Sequence, residues 1–543
     1  MTKIIGISGG FTHRIENPAA TLIIDGDVVF AQEEERFNRI KHSRGLIPTF
    51  AIQECLKYKN INIKEIDYIA FASNLPQLRN KIRDYFDFNF GYCPKIVFVD
   101  HHLCHAASAF YPSGFKETII LTADYSGNGV STTISIGKNN QINRIKEFKK
   151  PNSLGIFYSL ITQVLGFEID NDEYKLMGLA SYGKAKYNLD KILEVGKGYY
   201  KLNQKIISKN EFKYSKDLTR QEPFYSKELL KILKIKKRLK KKEFSNKIDI
   251  AASAQKKLND AAISLINWAY EKTKISNLCI AGGVGLNCTM NKKISELSYI
   301  KNLYVQPASS DAGNSLGAAL ITSLKFDKKI NVKEHVYLGN QFNNKHIAKV
   351  LKNNGIYNKT IKLNEKFVAK KLNQSKIFAV FQGRQEFGPR ALGNRSILAN
   401  PMNKNMKNIL NEKIKYREEF RPFAPIVMKK DSTKYFNVKN GVDYRHMTVT
   451  CDAKPGIDKL IPSCVHVDNT ARVQLLEKGK NKLIENILNE FGKLSKNPVL
   501  INTSFNLNRQ PNVNTPEDAI STFYASGIDY LIIGNRILIK NND

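Results

Sequence analysis

The sequence predicts an α/β protein of at least two domains, the first shaped around a nucleotide cleft between two lobes and the second lined with arginine. Three observations lead there. The chain has 543 residues, too many for one ordinary hydrophobic core. Apolar strand-like runs repeatedly end in a glycine or aspartate turn and re-enter as a helix, as in GGVGLNCTMN (282–291) and VQPASSDAGNSLGAAL (305–320). Beyond about residue 335 the chemistry changes, and GRQEFGPRALGNRSIL (383–398) and NEKIKYREEFRPFAP (411–425) set arginines and lysines around glycine and proline.

The bulk numbers narrow the class. Hydrophobic residues make up 42% of the chain, with 24 Tyr and 29 Phe, enough for well-packed interiors. No window has the roughly eighteen uninterrupted apolar residues a membrane span requires. The opening MTKIIGISGG lacks the charged-then-apolar order of a signal and reads as a first strand. Seven cysteines without a C-x-x-C pair point to reduced thiols and a cytoplasmic location. A net charge of +35 invites a nucleic-acid reading. Against it, lysine dominates and is scattered, and aromatics do not interleave with arginine, so nucleic acid is not the expected partner. The densest run, KIKKRLKKK (234–242), reads as a solvated, partly mobile helical face.

The most chemical stretch is 100–129. KIVFV leads into Asp100 as a strand ending at a helix N-cap. His101 and His105 then stand one helical turn apart on one face, a spacing that a divalent metal or a pair of hydrogen-bonded core histidines would both use. Cys104 faces away and reads as packing. The run 118–122 leads to Asp124 and a Ser-Gly-Asn-Gly turn, where Gly127 and Gly129 expose backbone N–H groups to a phosphate.

In chain order, 3–8 and 20–32 read as strands around an Asp25-Gly26 hairpin turn. A charged stretch ending in Lys41, His42 and Arg44 precedes a helix to Tyr58. Residues 152–183 give an amphipathic helix and then a charged, glycine-punctuated turn. Residues 186–245 are Lys- and Asn-rich and read as a peripheral insertion, before a helix from Ile248 to Thr273. Gly282 and Gly283 allow close backbone approach, and the following helix offers its N-terminus near Asn287 to an anion. Asp311 stands at the mouth of another helix. Residues 325–365 show little periodicity, which puts the domain boundary near 335. In the second domain Arg384, Arg390, Arg395, Lys415, Arg417 and Arg421 suit forked contact with phosphate or carbamoyl oxygens. VHVDNTARVQ adds His466 and Arg472, and VLINTSFN delivers Asn502, Ser504 and Asn506 at a strand end.

Seven stretches in one order now resemble a family: DHHLCHAASAFYPSGF, NSLGIFYS…GFEIDNDEYKLMGLASYGK, AGGVGLN, PASSDAGNSLGAAL, GRQEFGPRALGNRSIL, KYREEFRPFAP and NTSFN. They are similar to the O-carbamoyltransferases of nodulation-factor and antibiotic biosynthesis. The resemblance implies an actin/Hsp70-like (ASKHA) carbamoyl-transfer domain over 1–335 and a YrdC-like α/β domain with a twisted sheet over 340–543. It implies that ATP (with Mg) and carbamoyl phosphate form carbamoyl-adenylate in the second domain, and that the first moves the carbamoyl group to a hydroxyl of a small molecule or glycan. By the same resemblance His101, His105, Asp124 and Asp311 hold a divalent metal, iron(II) first, with manganese or zinc as alternatives. Lys415-x-Arg417 and Ser504-x-Asn506 match the YrdC signature. His13 is the implied general base and Lys41 a further catalytic group, and Glu173 and Lys175 join the cofactor-binding set. The family's His-Asp-Ser-Ala-Ala reads HRIENPAA here. A tRNA-threonylcarbamoylating enzyme, sharing both domain types, is the alternative reading. Hydrogenase-maturation carbamoyltransferases carry Cys-pair zinc motifs that this chain lacks.

Overall fold

A computed structural model describes residues 1–12, 17–213, 221–236, 238–239, 244–327, 330–332 and 336–540. The chain packs as mixed α/β in two compact units: residues 1–108, 311–439 and 443–543 form unit 1, and 109–310 with 440–442 form unit 2. The chain-wise boundary expected near 335 runs inside unit 1.

Unit 1 opens with a five-stranded sheet of β1 (Lys3–Ser8), β2 (Ala19–Ile24), β3 (Asp27–Glu33), β4 (Tyr68–Phe71) and β5 (Lys95–Phe98), in the order β3-β2-β1-β4-β5. The first three strands are antiparallel neighbours, and β4 and β5 add in parallel. Asp25 and Gly26 turn the β2–β3 hairpin with φ of 50° and 84°, as the Asp-Gly pair predicts. Strand alternation sends Ile5, Ile7, Leu22, Ile69 and Phe71 to one face. There they pack with Ala51, Ile52 and Cys55 of the helix Thr49–Lys59 and with Ile82 and Phe86 of the helix Arg79–Phe90. The helix Ala312–Phe326 lies against β1 so closely that a Cβ on Gly6 would collide with the Ser315 carbonyl, and Thr21 Oγ1 lies 2.8 Å from Ser315 Oγ.

Unit 2 contains β6 (Glu117–Gly127), β7 (Val130–Lys138), β8 (Gln141–Lys149), a hairpin of β9 (Leu193–Gly196) and β10 (Tyr199–Leu202), then β11 (Asn277–Ala281) and β12 (Asn302–Val305). Its main sheet runs β12-β11-β6-β7-β8, with three antiparallel strands followed by two added in parallel. That is the topology of the first sheet over again. The repeat escaped the sequence reading because strand order is set by non-local pairing, which no local hydrophobic pattern records.

The remainder of unit 1 is built on a mixed eight-stranded sheet. Its strands are β13 (Thr360–Lys362), β14 (Phe378–Phe381), β15 (Arg395–Ala399), β16 (Ala424–Met428), β20 (Gln474–Leu476), β21 (Val499–Ser504), β22 (Tyr530–Ile533) and β23 (Arg536–Ile539). A small side sheet holds β17 (Phe436–Asn437), β18 (Cys451–Ala453) and β19 (Thr470–Ala471). Helix Lys482–Ser495 presents Ile484, Ile487, Leu488 and Phe491 at helical spacing to one core. Alternate residues Phe378 and Val380, Ile426 and Met428, and Tyr530 and Ile532 supply the sheet side of it. Each such side chain contributes about 1.5–3 kcal/mol relative to exposure.

A buried polar seam ties β3 to the segment 385–394 within unit 1. Gln32 Nε2 donates to Gln385 Oε1 (2.6 Å) and Asn514 Oδ1 (2.7 Å), and Gln32 Oε1 accepts from Asn340 N (2.9 Å). Glu33 Oε1 accepts from Gly388 N (2.8 Å), while Arg36 donates to the Gly388 carbonyl (2.8 Å) and pairs with Glu33. Glu386 Oε1 accepts from the backbone N–H of Leu392, Asn394 and Arg395.

Three local expectations are revised. The stretch 186–245 is anchored rather than peripheral throughout, since Leu193, Tyr200, Leu202, Ile206, Phe224 and Leu229 are buried. The lysine-rich run is not helical over 234–236 and 238–239, and Arg238 donates to the carbonyls of Gln163 and Phe167 at the end of helix Leu154–Val164. The rest of the run, at 237 and 240–242, lies outside the described residues. Helices also form at Glu173–Ala180 and Asn344–Asn353, where a charged turn and an aperiodic linker were expected. No described helix is long and apolar enough to cross a membrane.

One glycine carries a testable load. A Cβ at Gly317 would overlap the Cys104 carbonyl, which is backbone and cannot swing aside. Gly317→Ala is expected to lower unfolding free energy in urea by about 1–3 kcal/mol. An unchanged denaturation midpoint would show that the two helices are not in such close contact.

Candidate metal and donor sites

The first cluster lies wholly in unit 1 and follows from two helix starts. Asp100 caps the helix His101–Ser113 through its Oδ1, which accepts from Leu103 N at 2.9 Å. This fixes the first turn, so His101 and His105 meet edge to face with ring centroids 4.8 Å apart. Asp311 stands at the N-cap of helix Ala312–Phe326. Its Oδ1 lies 3.3 Å from Nε2 of His101 and 3.3 Å from Nε2 of His105. Both imidazoles are buried, at 2% and 0% exposure.

The spacing passes a simple fit test for a metal. Ligand atoms roughly 2.1 Å from a divalent ion and 90–109° apart lie about 3.0–3.4 Å from one another. The donor set of imidazole nitrogen and carboxylate oxygen suits iron(II), manganese or zinc. His102, 1% exposed, has its ring 5.4 Å from that of His101 and is not part of the convergence. Cys104 is fully buried, its thiol pushed well up by burial, as a packing residue should be. One residue the sequence reading missed is Asn314, whose amide nitrogen lies 3.2 Å from His105 Nε2 and 3.4 Å from Asp311 Oδ1. Its signal was present in the sequence, three residues after Asp311 on the same helix.

Unit 2 carries Asp124 and the expected phosphate turns. Asp124 lies within β6, and its Oδ1 accepts from Gly283 N at 3.1 Å. Gly282 has φ of +90°, and a Cβ there would strike the Ala123 carbonyl, so only glycine allows β6 and the 282–283 turn to approach. Asn128 and Gly129, with φ of 52° and 78°, form the two-residue turn between Gly127 and Val130. Asn287 caps the helix Cys288–Ser295 and shares a reciprocal amide pair with Gln255 at 3.0 and 3.1 Å. Glu173 accepts from Ser159 Oγ and Asp170 N, both at 2.7 Å, and burial raises its pKa. Lys175 pairs with Asp172 at 3.0 Å.

The second cluster, again within unit 1, joins the two paired motifs. The Lys415 ammonium donates to the Ser504 carbonyl, to Asn506 Oδ1 (2.8 Å) and to the Asn506 carbonyl (3.1 Å). Ser504 Oγ donates to Asn506 Oδ1 at 2.7 Å. Every one of these partners is uncharged. Lys415 is buried, and its pKa is held well down by desolvation and then by Arg417, Arg421 and Lys41. Arg417 Nε donates to Asn411 Oδ1 (2.7 Å), with its guanidinium 4.4 Å from the Phe423 ring centre. Arg421 lies 3.8 Å from Glu418. Positive charge is therefore concentrated around a cation that has no carboxylate partner among the described residues.

Other expected donors are engaged by the protein itself. Arg384 donates to the carbonyls of Val29, Gly339 and Leu338 and stacks 4.6 Å over Tyr58. Arg395, fully buried, serves the carbonyls of Gln382, Asn394, Asn340 and Gly383. Asn502 donates to Ala391 O and Gln474 Oε1 and lies inside the sheet. These three hold loops together. Arg390 and Arg472 are half-buried. His13 lies outside the described residues.

Comparison with known proteins gives this arrangement its family. The carbamoyltransferase N-terminus model matches residues 79–320 and the carbamoyltransferase C-terminus model residues 369–540. An uncharacterized protein of Synechocystis sp. is 35% identical over 99% of this chain and 97% of its own. Nodulation protein NolNO of Sinorhizobium fredii is 32% identical over 99% of this chain and 82% of its own, and nodulation protein NolO of Bradyrhizobium diazoefficiens 33% identical over 81% and 79%. The chain belongs to the carbamoyltransferase family, and it is an enzyme of that class. Among solved structures, component A of (R)-2-hydroxyglutaryl-CoA dehydratase from Acidaminococcus fermentans is 15% identical with a TM-score of 0.35, covering 61% of this chain and all of that one. Full-length HypF in its phosphate- and nucleotide-bound form is 16% identical with a TM-score of 0.33, covering 59% of this chain and 55% of that one.

His466 offers a pH test. Burial, and then the charges of Arg472 and Lys407 against Asp468, bring its pKa down to about 4. Between about 6.5 and about 4 the unfolded chain takes up a proton that the folded chain refuses, so stability falls as pH falls through that window. The loss is of order 1–3 kcal/mol. His466→Gln should flatten this part of the stability–pH curve; a curve parallel to wild type would show His466 to be freely protonated in the folded state.

Proposed function

We propose that the enzyme is an ATP-dependent O-carbamoyltransferase working in two half-reactions. In the first, carbamoyl phosphate yields carbamate and inorganic phosphate with water, and a carbamate oxygen bonds to the α-phosphorus of ATP as pyrophosphate leaves. In the second, an acceptor hydroxyl oxygen bonds to the carbamoyl carbon and AMP leaves, while the hydroxyl proton passes to a base. The acceptor is a small-molecule or glycan hydroxyl, and His13 is the base on the family resemblance alone. The first half-reaction belongs to a YrdC-like domain over 340–543, and the second to an ASKHA-type domain over 1–335. The duplicated sheet topology supports the latter.

One observation carries the reading. The Lys415 ammonium is buried on neutral oxygens, with Arg417, Arg421 and Lys41 adding to the positive potential around it. Such an uncompensated cation costs stability unless an anion is to be bound. ATP and carbamoyl phosphate are anions of that kind. Arg417 can fork onto a phosphate, and Ser504 and Asn506 hold the ammonium where an incoming oxygen would displace one of its partners. The expected ligands of a divalent metal are His101, His105, Asp311 and Asp124, the last on the resemblance. When bound, it would supply Lewis acidity to the carbamoyl carbonyl. The histidines must be neutral to ligate.

Lys415→Met keeps the length of the side chain and removes its charge. The variant should fold at least as stably as wild type and lose pyrophosphate release by roughly 30–1000-fold, the equivalent of about 2–4 kcal/mol. Normal pyrophosphate release would move the donor site elsewhere. His105→Ala tests the other half, read as pyrophosphate and carbamoylated product from one reaction. Pyrophosphate should persist and product vanish. Equal loss of both would mean a single composite site.

A further inference from the structure

Asn314 is 1% exposed, on the first turn of helix Ala312–Phe326. Its amide nitrogen lies 3.2 Å from His105 Nε2 and 3.4 Å from Asp311 Oδ1, and almost equally far, 3.4 and 3.5 Å, from the Nε2 and Nδ1 atoms of His101. Its carbonyl oxygen is buried and has no hydrogen-bond partner among the described residues. The arrangement is lopsided. The positive end of the amide dipole points at the centre of the donor cluster, where a cation would be favoured, and the negative end points at nothing.

The two ends of an asparagine amide are nearly the same size, so a half-turn about the last side-chain bond exchanges them without new steric demands. In the orientation present, the N–H₂ group sits beside His105 Nε2 and Asp311 Oδ1, two of the atoms that metal ligation requires. A divalent ion would repel those hydrogens, and the half-turn would bring the orphaned oxygen to face the ion. Amide oxygen is an acceptable ligand for the harder divalent ions among those this donor set suits.

We propose that Asn314 is an additional metal ligand whose amide turns over on metal binding, trading donation to His105 and Asp311 for oxygen coordination. The inference rests on the metal reading of His101, His105 and Asp311 and adds a residue to it.

The test uses the full chain, Mn²⁺ titration by calorimetry and the visible spectrum of the Co²⁺-loaded protein, which reports coordination number. Wild type should bind one Mn²⁺ per chain. Asn314→Ala should bind it roughly 10–100-fold more weakly and show a Co²⁺ spectrum of lower coordination number. Asn314→Asp, which keeps an oxygen in place and is less disruptive to folding, should bind at least as tightly as wild type with an unchanged Co²⁺ spectrum. If wild type binds no metal, the metal reading itself falls. If wild type binds but Asn314→Ala matches it in affinity and spectrum, or Asn314→Asp is as weak as Asn314→Ala, the ligand role of Asn314 is wrong and the metal reading stands.

Discussion

The closeness of two helix backbones sets the geometry of the histidine cluster. Helix Ala312–Phe326 meets the Cys104 carbonyl at Gly317 and meets β1 at Gly6, and at both places a single methyl group is too large. Removing side chains at two contacts lets the helix lie deep against the sheet. Its N-terminus, with Asp311 and Asn314, then arrives beside the first turn of the histidine helix. Asp100 fixes that turn from the other side by capping it. The chemistry at the cluster is therefore a consequence of packing distances set several residues away.

The seam of Gln32, Glu33, Arg36, Gln385, Glu386 and Gly388 works on a different principle. Its groups are buried polar atoms whose value lies in being satisfied, because each one left unpaired costs about 1–3 kcal/mol. Glu386 alone collects three backbone N–H groups. Such a seam tolerates few substitutions and admits one register of β3 against the 385–394 segment. The segment that follows β3 carries Lys41, which is close enough to Lys415 to lower its pKa. Charges from opposite ends of the chain thus act on one ammonium.

Much of this was legible in the residues. The i, i+4 histidines after a capping aspartate and the Asp-Gly hairpin are local, and local patterns survive folding. The pairing of Lys415 with Ser504 and Asn506 was legible only through the family motifs, since nothing local links positions 89 and more residues apart. Arg384 and Arg395, expected to meet phosphate, here donate to backbone carbonyls. A guanidinium serves a phosphate or a set of buried carbonyls equally well, and the choice depends on how many carbonyls the surrounding loops bury. The same non-locality hid the repeated sheet topology and the buried residues of the 186–245 stretch. Asn314 was overlooked because an asparagine beside a ligand motif reads as an ordinary first-turn residue.

The division into units bears on how the chain is made. Unit 2 is almost continuous in sequence, at 109–310, whereas unit 1 is assembled from both ends of the chain. As synthesis proceeds from the N-terminus, the first sheet emerges early but its polar seam waits for Gln385, Gly388 and Asn514. Unit 2 has nearly all its residues long before then. Between residues 310 and 514 the nascent chain therefore has the middle unit almost complete and an unsatisfied first sheet, with Gln32 and Glu33 among the groups still seeking partners. Closure of unit 1 is a late, long-range event, and such events are slow because chain entropy is lost before the contacts are gained.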